Sequence, residues 1–219
     1  MTNKVNLTRE ELLPQILNSN QLSVGAEIGV FKGQFSRTLL DSWMGKLWLV
    51  DPWRAFEDEE GYIDASNHKN HQTAYLECMQ RLEGMEARAL MLRGLSSDMA
   101  PRFQDGELDF VYIDGNHAYD WVKEDIELWW PKVREGGYVM GHDYLDMANW
   151  YESDFNENGK DKHIWMRGPE SGEEWIYAGI FGVNTAVDEF VAAHGLELTI
   201  TNEFTGTWII QKKGSTNEQ

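Results

Sequence analysis

Five short apolar runs set the frame for this chain: Val24 to Val30, Leu47 to Val50, Ala87 to Leu92, Leu108 to Ile113 and Tyr138 to Met140. Each has the length of a buried strand. Between them the apolar residues recur at helical spacing instead. Phe35, Leu39, Leu40 and Trp43 follow the first run, and Tyr75, Cys78, Met79 and Leu82 follow the second. A short helix opened by Ser96 or Ser97 follows the third, and Tyr119, Val122, Ile126, Trp129 and Trp130 follow the fourth. Strict alternation of this kind predicts an α/β sandwich with helices on a mostly parallel sheet. A helix marked by Val183, Val187, Phe190 and Val191, then strands at Leu196 to Ile200 and Trp208 to Ile210, close the order.

The remaining segments are read around that frame. Thr8-Arg9-Glu10-Glu11 has capping-box spacing, so a helical segment is expected over 8–19, with Pro14 set against it as a breaker. Residues 145–179 are rich in Asn, Asp, Glu, Gly and Trp without clear periodicity, and are expected to form an insert over the site. One domain over 1–214 and a disordered tail over 215–219 account for the 219 residues. Cys78 is the single cysteine, which excludes an internal disulfide and a multi-cysteine zinc site. No apolar run nears the roughly 18 residues of a membrane span, and the first residues lack a secretory pattern. A soluble, cytoplasmic protein is expected.

Charge narrows the partners. Lys and Arg total 19 against 37 Asp and Glu, a net charge of −18. Such a surface repels nucleic-acid phosphates and anionic lipid, so neither is an expected partner. The acidic runs Glu57 to Glu60, Glu152 to Asp161 and Glu170 to Glu174 read as solvated loop. The oligomeric state is left open, a homodimer included.

In α/β sheets of this kind, ligands bind beyond the carboxyl ends of the strands. The first run ends in Glu27-Ile28-Gly29-Val30-Phe31-Lys32-Gly33, two glycines that let the backbone turn sharply before a helix. The second ends in Asp51, at the distance where an acid meets ribose hydroxyls in dinucleotide folds. The turn lacks the middle glycine that admits a pyrophosphate, and Glu27 repels one. An acid there suits a cationic ligand, which favours S-adenosylmethionine over NAD. The fourth run ends in Asp114-Gly115-Asn116-His117 and the fifth in Gly141-His142-Asp143-Tyr144, so carboxylates and imidazoles share one sheet edge. His68 and His71 read as a solvated helix face.

These residues resemble class I S-adenosylmethionine-dependent methyltransferases, and in particular the family 24 methyltransferase domain. Val24 to Gly33, Val50-Asp51-Pro52 and Phe110 to Tyr119 carry the resemblance, extended by Gly136 to Tyr144 and Gly182 to Phe190. It implies a Rossmann-like, doubly wound, seven-stranded, mostly parallel sheet whose last strand is antiparallel. It implies that Glu27 and Gly29 lie against the methionine part of the cofactor, with Asp51 accepting from both ribose hydroxyls. It further places Trp53 on the adenine, Ser96 at the adenine edge and Asp114 near the sulfonium methyl. Gly33 completes the cofactor turn. The acceptor class implied is a small molecule, sugar-containing or aromatic, methylated on a hydroxyl.

Two devices could remove the hydroxyl proton. His117 or His142 could act as general base, with Asp114 beside them. Alternatively Asp114, His142 and Asp143 could hold Mg²⁺ or another divalent ion that acidifies the hydroxyl, although metal-dependent relatives show a carboxylate where His142 stands and Mg²⁺ prefers oxygen. Trp150, Tyr151, Trp165 and Trp175 in the insert could stack on an acceptor or anchor the insert itself. Two other classes remain as alternatives: a nucleotide-dependent oxidoreductase on a similar sheet, and a non-catalytic interaction module.

Overall fold

Strand β5 (Leu108–Ile113) is buried along its whole length and lies inside the sheet. The computed structural model describes residues 2–56, 70–145, 150–154, 158–167 and 175–214. The expected tail, the Glu57 to Glu60 run and His68 lie outside the described residues, as do the side chains of Trp150, Tyr151 and Trp175.

Beside β5 lie β2 (Val24–Ile28), then β3 (Lys46–Asp51) and β4 (Ala89–Arg93), all parallel. On its other side lies β6 (Val133–Leu145), also parallel, followed by antiparallel β11 (Thr205–Gln211) and then β10 (Leu198–Ile200). The outermost strand on that side is β1 (Thr2–Lys4), parallel to β10. The sheet therefore has eight strands in the order β1-β10-β11-β6-β5-β2-β3-β4, not seven. The eighth escaped the sequence because all three β1 residues are exposed and carry no apolar signal.

Helices cover both faces. Helix α1 (Arg9–Ser19), α2 (Gln34–Ser42) and α3 (His71–Arg81) pack Leu13, Leu17, Leu39, Leu40, Ala74 and Cys78 against Phe110 and Tyr112. Helix α1 runs through Pro14, and Glu11 holds its start by accepting from the Thr8 amide at 2.9 Å. Short α4 (Ser96–Met99), α5 (Tyr119–Trp129) and α6 (Val183–His194) cover the other face with Val122, Ile126, Trp129 and Val187.

Two segments differ from expectation. The fifth apolar run covers only Tyr138 to Met140, but the strand already begins at Val133, runs through Gly136-Gly137 and bulges between Leu108 and Phe110 of its partner. The insert is a three-stranded antiparallel sheet: β7 (Trp150–Asp154), β8 (Lys162–Arg167) and β9 (Trp175–Phe181). It leads directly into α6 and is tied to the body where the Tyr119 amide donates to Asp161 Oδ1 at 2.7 Å. Among the described residues no helix is long and apolar enough to cross a membrane.

Candidate active site

A cavity of about 370 Å³ opens over the carboxyl ends of β2, β3 and β5. That is room for a ligand of cofactor size, where pockets begin near roughly 300 Å³. Of the residues singled out in the sequence, Glu27, Gly29, Asp51, Ser96, Asp114 and His117 line it.

The turn after β2 explains Gly29. Its φ is +86°, and a Cβ there would lie 2.1 Å from the backbone oxygen of Asp114. Only glycine lets the two strand ends approach this closely. Gly33 has a different task. It is in the left-handed region at φ +68°, and an added Cβ would meet Cys78 Sγ at 2.7 Å. It fits α2 against α3 and does not line the cavity.

Asp51 organises the neighbouring backbone. Its Oδ2 accepts from the Val30 and Phe31 amides at 2.9 and 2.8 Å, and Oδ1 from the Trp53 amide at 2.6 Å. A carboxylate offers about four lone-pair directions. Three are used, which leaves about one for a further donor. Burial raises the pKa of Asp51 against these three amides.

Trp53 is a correction. It is 1% exposed, and its Nε1 donates to the Phe31 carbonyl at 2.7 Å. The ring packs edge-on to Tyr75 in the core and does not line the cavity. An apolar ring next to the ribose acid is well placed for adenine in a linear reading. The φ of +42° at Trp53 turns the chain inward instead.

Glu27 is 2% exposed and accepts from Ser36 Oγ at 2.5 Å. Burial pushes its pKa up to about 8, with the Ser36 hydroxyl opposing and Asp114 adding to the rise. Burial thus favours the protonated form of this carboxyl, and a positive charge beside it opposes that, as Arg9 already does.

At the other end of the site, Asp143 lies between two imidazoles. His117 Nε2 is 2.7 Å from its Oδ2, and His142 Nδ1 is 3.3 Å from its Oδ1. Burial opposes ionisation of Asp143, but the two histidines overcome it and hold its pKa far below the usual range. His142 continues the chain, with Nε2 3.1 Å from Thr205 Oγ1. Burial lowers the pKa of His142, yet Asp143 and Asp114 raise it above the ordinary value, favouring the imidazolium. Asp114 is raised by burial and by Asp143, with His142 opposing.

The donor atoms that converge are not the trio expected. Asp114, His117 and Asp143 each bring one atom within 4.8 Å of the others. His142 is not in that set, although its Nδ1 is 3.9 Å from Asp114 Oδ1 and 3.3 Å from Asp143 Oδ1, and its other nitrogen stands beside Thr205. These residues do not fit Mg²⁺. One of the three donors is an imidazole, and both oxygens of Asp143 already face histidines.

Several lining residues were missed. Arg9, Phe35, His71, Trp121 and Asp125 all reach the cavity. His71 therefore does not belong to a solvated face. Asp125 carried a legible signal, because it interrupts the apolar stripe of Val122, Ile126 and Trp129 and is 6% exposed. Burial lifts its pKa to about 7, with Ser96 opposing through a hydrogen bond. Ser96 also accepts from Trp129 Nε1 at 2.8 Å.

Residues 26–144, more than half of the chain, match a family model described as a methyltransferase domain. The chain belongs to this methyltransferase family. Among solved structures, the methyltransferase is similar to the O-methyltransferase TomG of Streptomyces achromogenes, solved in complex with SAM. The identity is 15% and the TM-score 0.59, over 94% of this chain and 80% of that one. It is likewise similar to an O-methyltransferase family protein of Burkholderia thailandensis, at 11% identity and TM-score 0.57 over 94% and 58% of the two chains. Both likenesses concern the fold. An uncharacterized protein of Sinorhizobium fredii is 27% identical over 96 residues, 43% of this chain and 10% of that protein. An uncharacterized protein of Acanthamoeba polyphaga mimivirus is 41% identical over 39 residues, 18% of each. The methyltransferase thus spans under a fifth of the curated relatives it matches.

Proposed function

We propose that this methyltransferase transfers the methyl group of S-adenosylmethionine to a hydroxyl of a small-molecule acceptor, with His117 as the general base. The observation that carries the base is the 2.7 Å contact between His117 Nε2 and Asp143 Oδ2 beside the cavity. The Asp143 carboxylate holds the Nε2 side of the ring and so orients it, and Nδ1 is the nitrogen that would take the acceptor proton when the imidazole is neutral. His142, held toward its charged form, stabilises the Asp143 carboxylate and does not compete for the proton.

Methyl transfer is an in-line displacement from a sulfonium. The chain has to align donor and acceptor and exclude water. Asp51 and Ser96 hold the nucleoside, and Glu27 and Asp114 supply negative character for the cationic end. The last strand of the insert supports the base, since Phe181 stacks on His117 with ring centroids 4.9 Å apart. This contact supports reading the 145–179 insert as a cover for the acceptor. The net charge of −18 favours neutral or cationic acceptors.

The test is calorimetric titration with S-adenosylhomocysteine and with NAD, followed by detection of methylated product across a panel of phenols and sugars. Binding of the first ligand and hydroxyl-dependent turnover are expected. Binding of NAD alone would move the chain to the oxidoreductase class. Binding of neither would leave an interaction module.

A further inference from the structure

In a chain of net charge −18, two arginines, Arg9 and Arg54, line the cofactor cavity, and Arg9 is the one beside Glu27 and Asp114. Arg9 opens α1 and lies outside the matched residues 26–144, so no motif of the domain includes it. Its side chain is 21% exposed. Nη1 donates to the Tyr112 hydroxyl at 3.1 Å, Nε donates to Glu10 Oε1 at 3.0 Å, and the Phe35 ring centroid lies 4.8 Å from the guanidinium carbon. Its backbone amide donates to Glu203. A guanidinium has five N–H donors in a fixed fork, so these bonds use two.

The neighbours define what the remaining donors can take. Asp114 and Glu27 line the same end of the cavity and act on Arg9 and on each other electrostatically. Neither carboxyl is hydrogen-bonded to it: Glu27 accepts from Ser36, and Asp114 faces His142. One guanidinium and two carboxyl groups side by side form the complement of an α-amino acid zwitterion. The carboxylate of such a ligand matches the guanidinium fork, and its ammonium matches the acids.

We propose that Arg9 binds the α-carboxylate of the methionine portion of S-adenosylmethionine, so that the segment preceding the matched domain completes the cofactor site. This rests on the cofactor reading above. It adds that the first turn of α1 is part of the binding machinery, positioned by Tyr112, Phe35 and Glu203.

The test compares two ligands on three proteins. S-adenosylhomocysteine carries the amino-acid end, whereas 5′-methylthioadenosine keeps the nucleoside thioether and lacks it. Arg9→Gln should weaken S-adenosylhomocysteine roughly 10- to 100-fold, the loss of a charge-assisted contact. It should leave 5′-methylthioadenosine unchanged, which also reports that the pocket is intact. Arg9→Lys keeps the charge without the fork and should give an intermediate loss for the first ligand only. Equal weakening of both ligands in the variants would show a structural role and overturn the proposal, as would unchanged affinity for S-adenosylhomocysteine. A wild-type protein that binds neither ligand would overturn the cofactor reading and the role of Arg9 with it.

Discussion

His117, just beyond the end of β5, and Asp143, near the end of adjacent β6, meet with Nε2 2.7 Å from Oδ2. Their pairing is set by the sheet, because Ile113 lies opposite Gly141 in register, after which β5 ends while β6 runs on to Leu145. A non-glycine residue with φ +58° at Asp143 bends that carboxylate back toward both histidines.

Replacing His117 by Ala should lower turnover roughly 10²- to 10⁴-fold, the range for losing a positioned base. Affinity for S-adenosylhomocysteine should stay at the wild-type level, because that residue is assigned to the acceptor proton and not to the cofactor. Asp143→Asn should lower turnover in the same direction by releasing the tautomer. Rate measurements at saturating cofactor, paired with titration calorimetry, separate the two parameters. A parallel fall in affinity and rate would make the pair a structural clamp.

Chelation tests the alternative device. The donors that converge, one imidazole nitrogen and two carboxylate oxygens, are a poor set for a hard ion. Turnover is therefore expected to survive exhaustive treatment with EDTA. Loss of activity on chelation, restored by a divalent ion and abolished in His117→Ala, would instead place an ion among Asp114, His117 and Asp143.

Glu27 should make stability depend on pH in an unusual direction. Its ordinary pKa is 4.5 and burial raises it to about 8 in the fold. Between these values the folded chain holds a proton that the unfolded chain releases. The contribution of this carboxyl to stability is therefore fully present below 4.5 and is lost as pH rises through about 8. Glu27→Gln removes the ionisation and keeps a partner for Ser36. Relative to wild type, the variant should gain about 1–3 kcal/mol between about pH 5 and about pH 9, read by urea unfolding. It should also lose affinity for the cationic end of the cofactor. A stability difference that does not change with pH would mean that the carboxyl is ionised throughout.

Strand-ends carried most of what the sequence made legible. Buried runs of Val, Leu and Ile mark β2, β3 and β5 because a parallel sheet covered on both faces needs apolar residues throughout. The acids that follow them stand out for the same reason. Strand β1 carries no such mark, since Thr2, Asn3 and Lys4 are all exposed and none is apolar. The insert was opaque in a similar way. Strands β7 and β8 mix charged and aromatic residues, and among the described residues the three strands pair only with each other. The place of His117 in the converging set was also invisible. It depends on how the chain beyond β5 and the backbone turn at Asp143 bring the two side chains together. Arg9 entered the site through the packing of α1, which no local pattern encodes.

The turn between β2 and α2 gives the sharpest test of the architecture. A Cβ at residue 29 would stand 2.1 Å from the Asp114 carbonyl oxygen and 2.5 Å from its carbon, both backbone atoms that cannot rotate away. The positive φ adds its own penalty for any other residue. Together these predict that Gly29→Ala costs about 2–4 kcal/mol in stability, combining left-handed strain with overpacking. Relief requires that the ends of β2 and β5 separate, which would move Glu27 and Asp114 apart and widen the cofactor end of the cavity. Urea denaturation and titration with S-adenosylhomocysteine should therefore both change in this variant. The alternative outcome, wild-type stability with wild-type affinity, would mean that the two strand ends do not approach as described and that the cavity is not built on their contact.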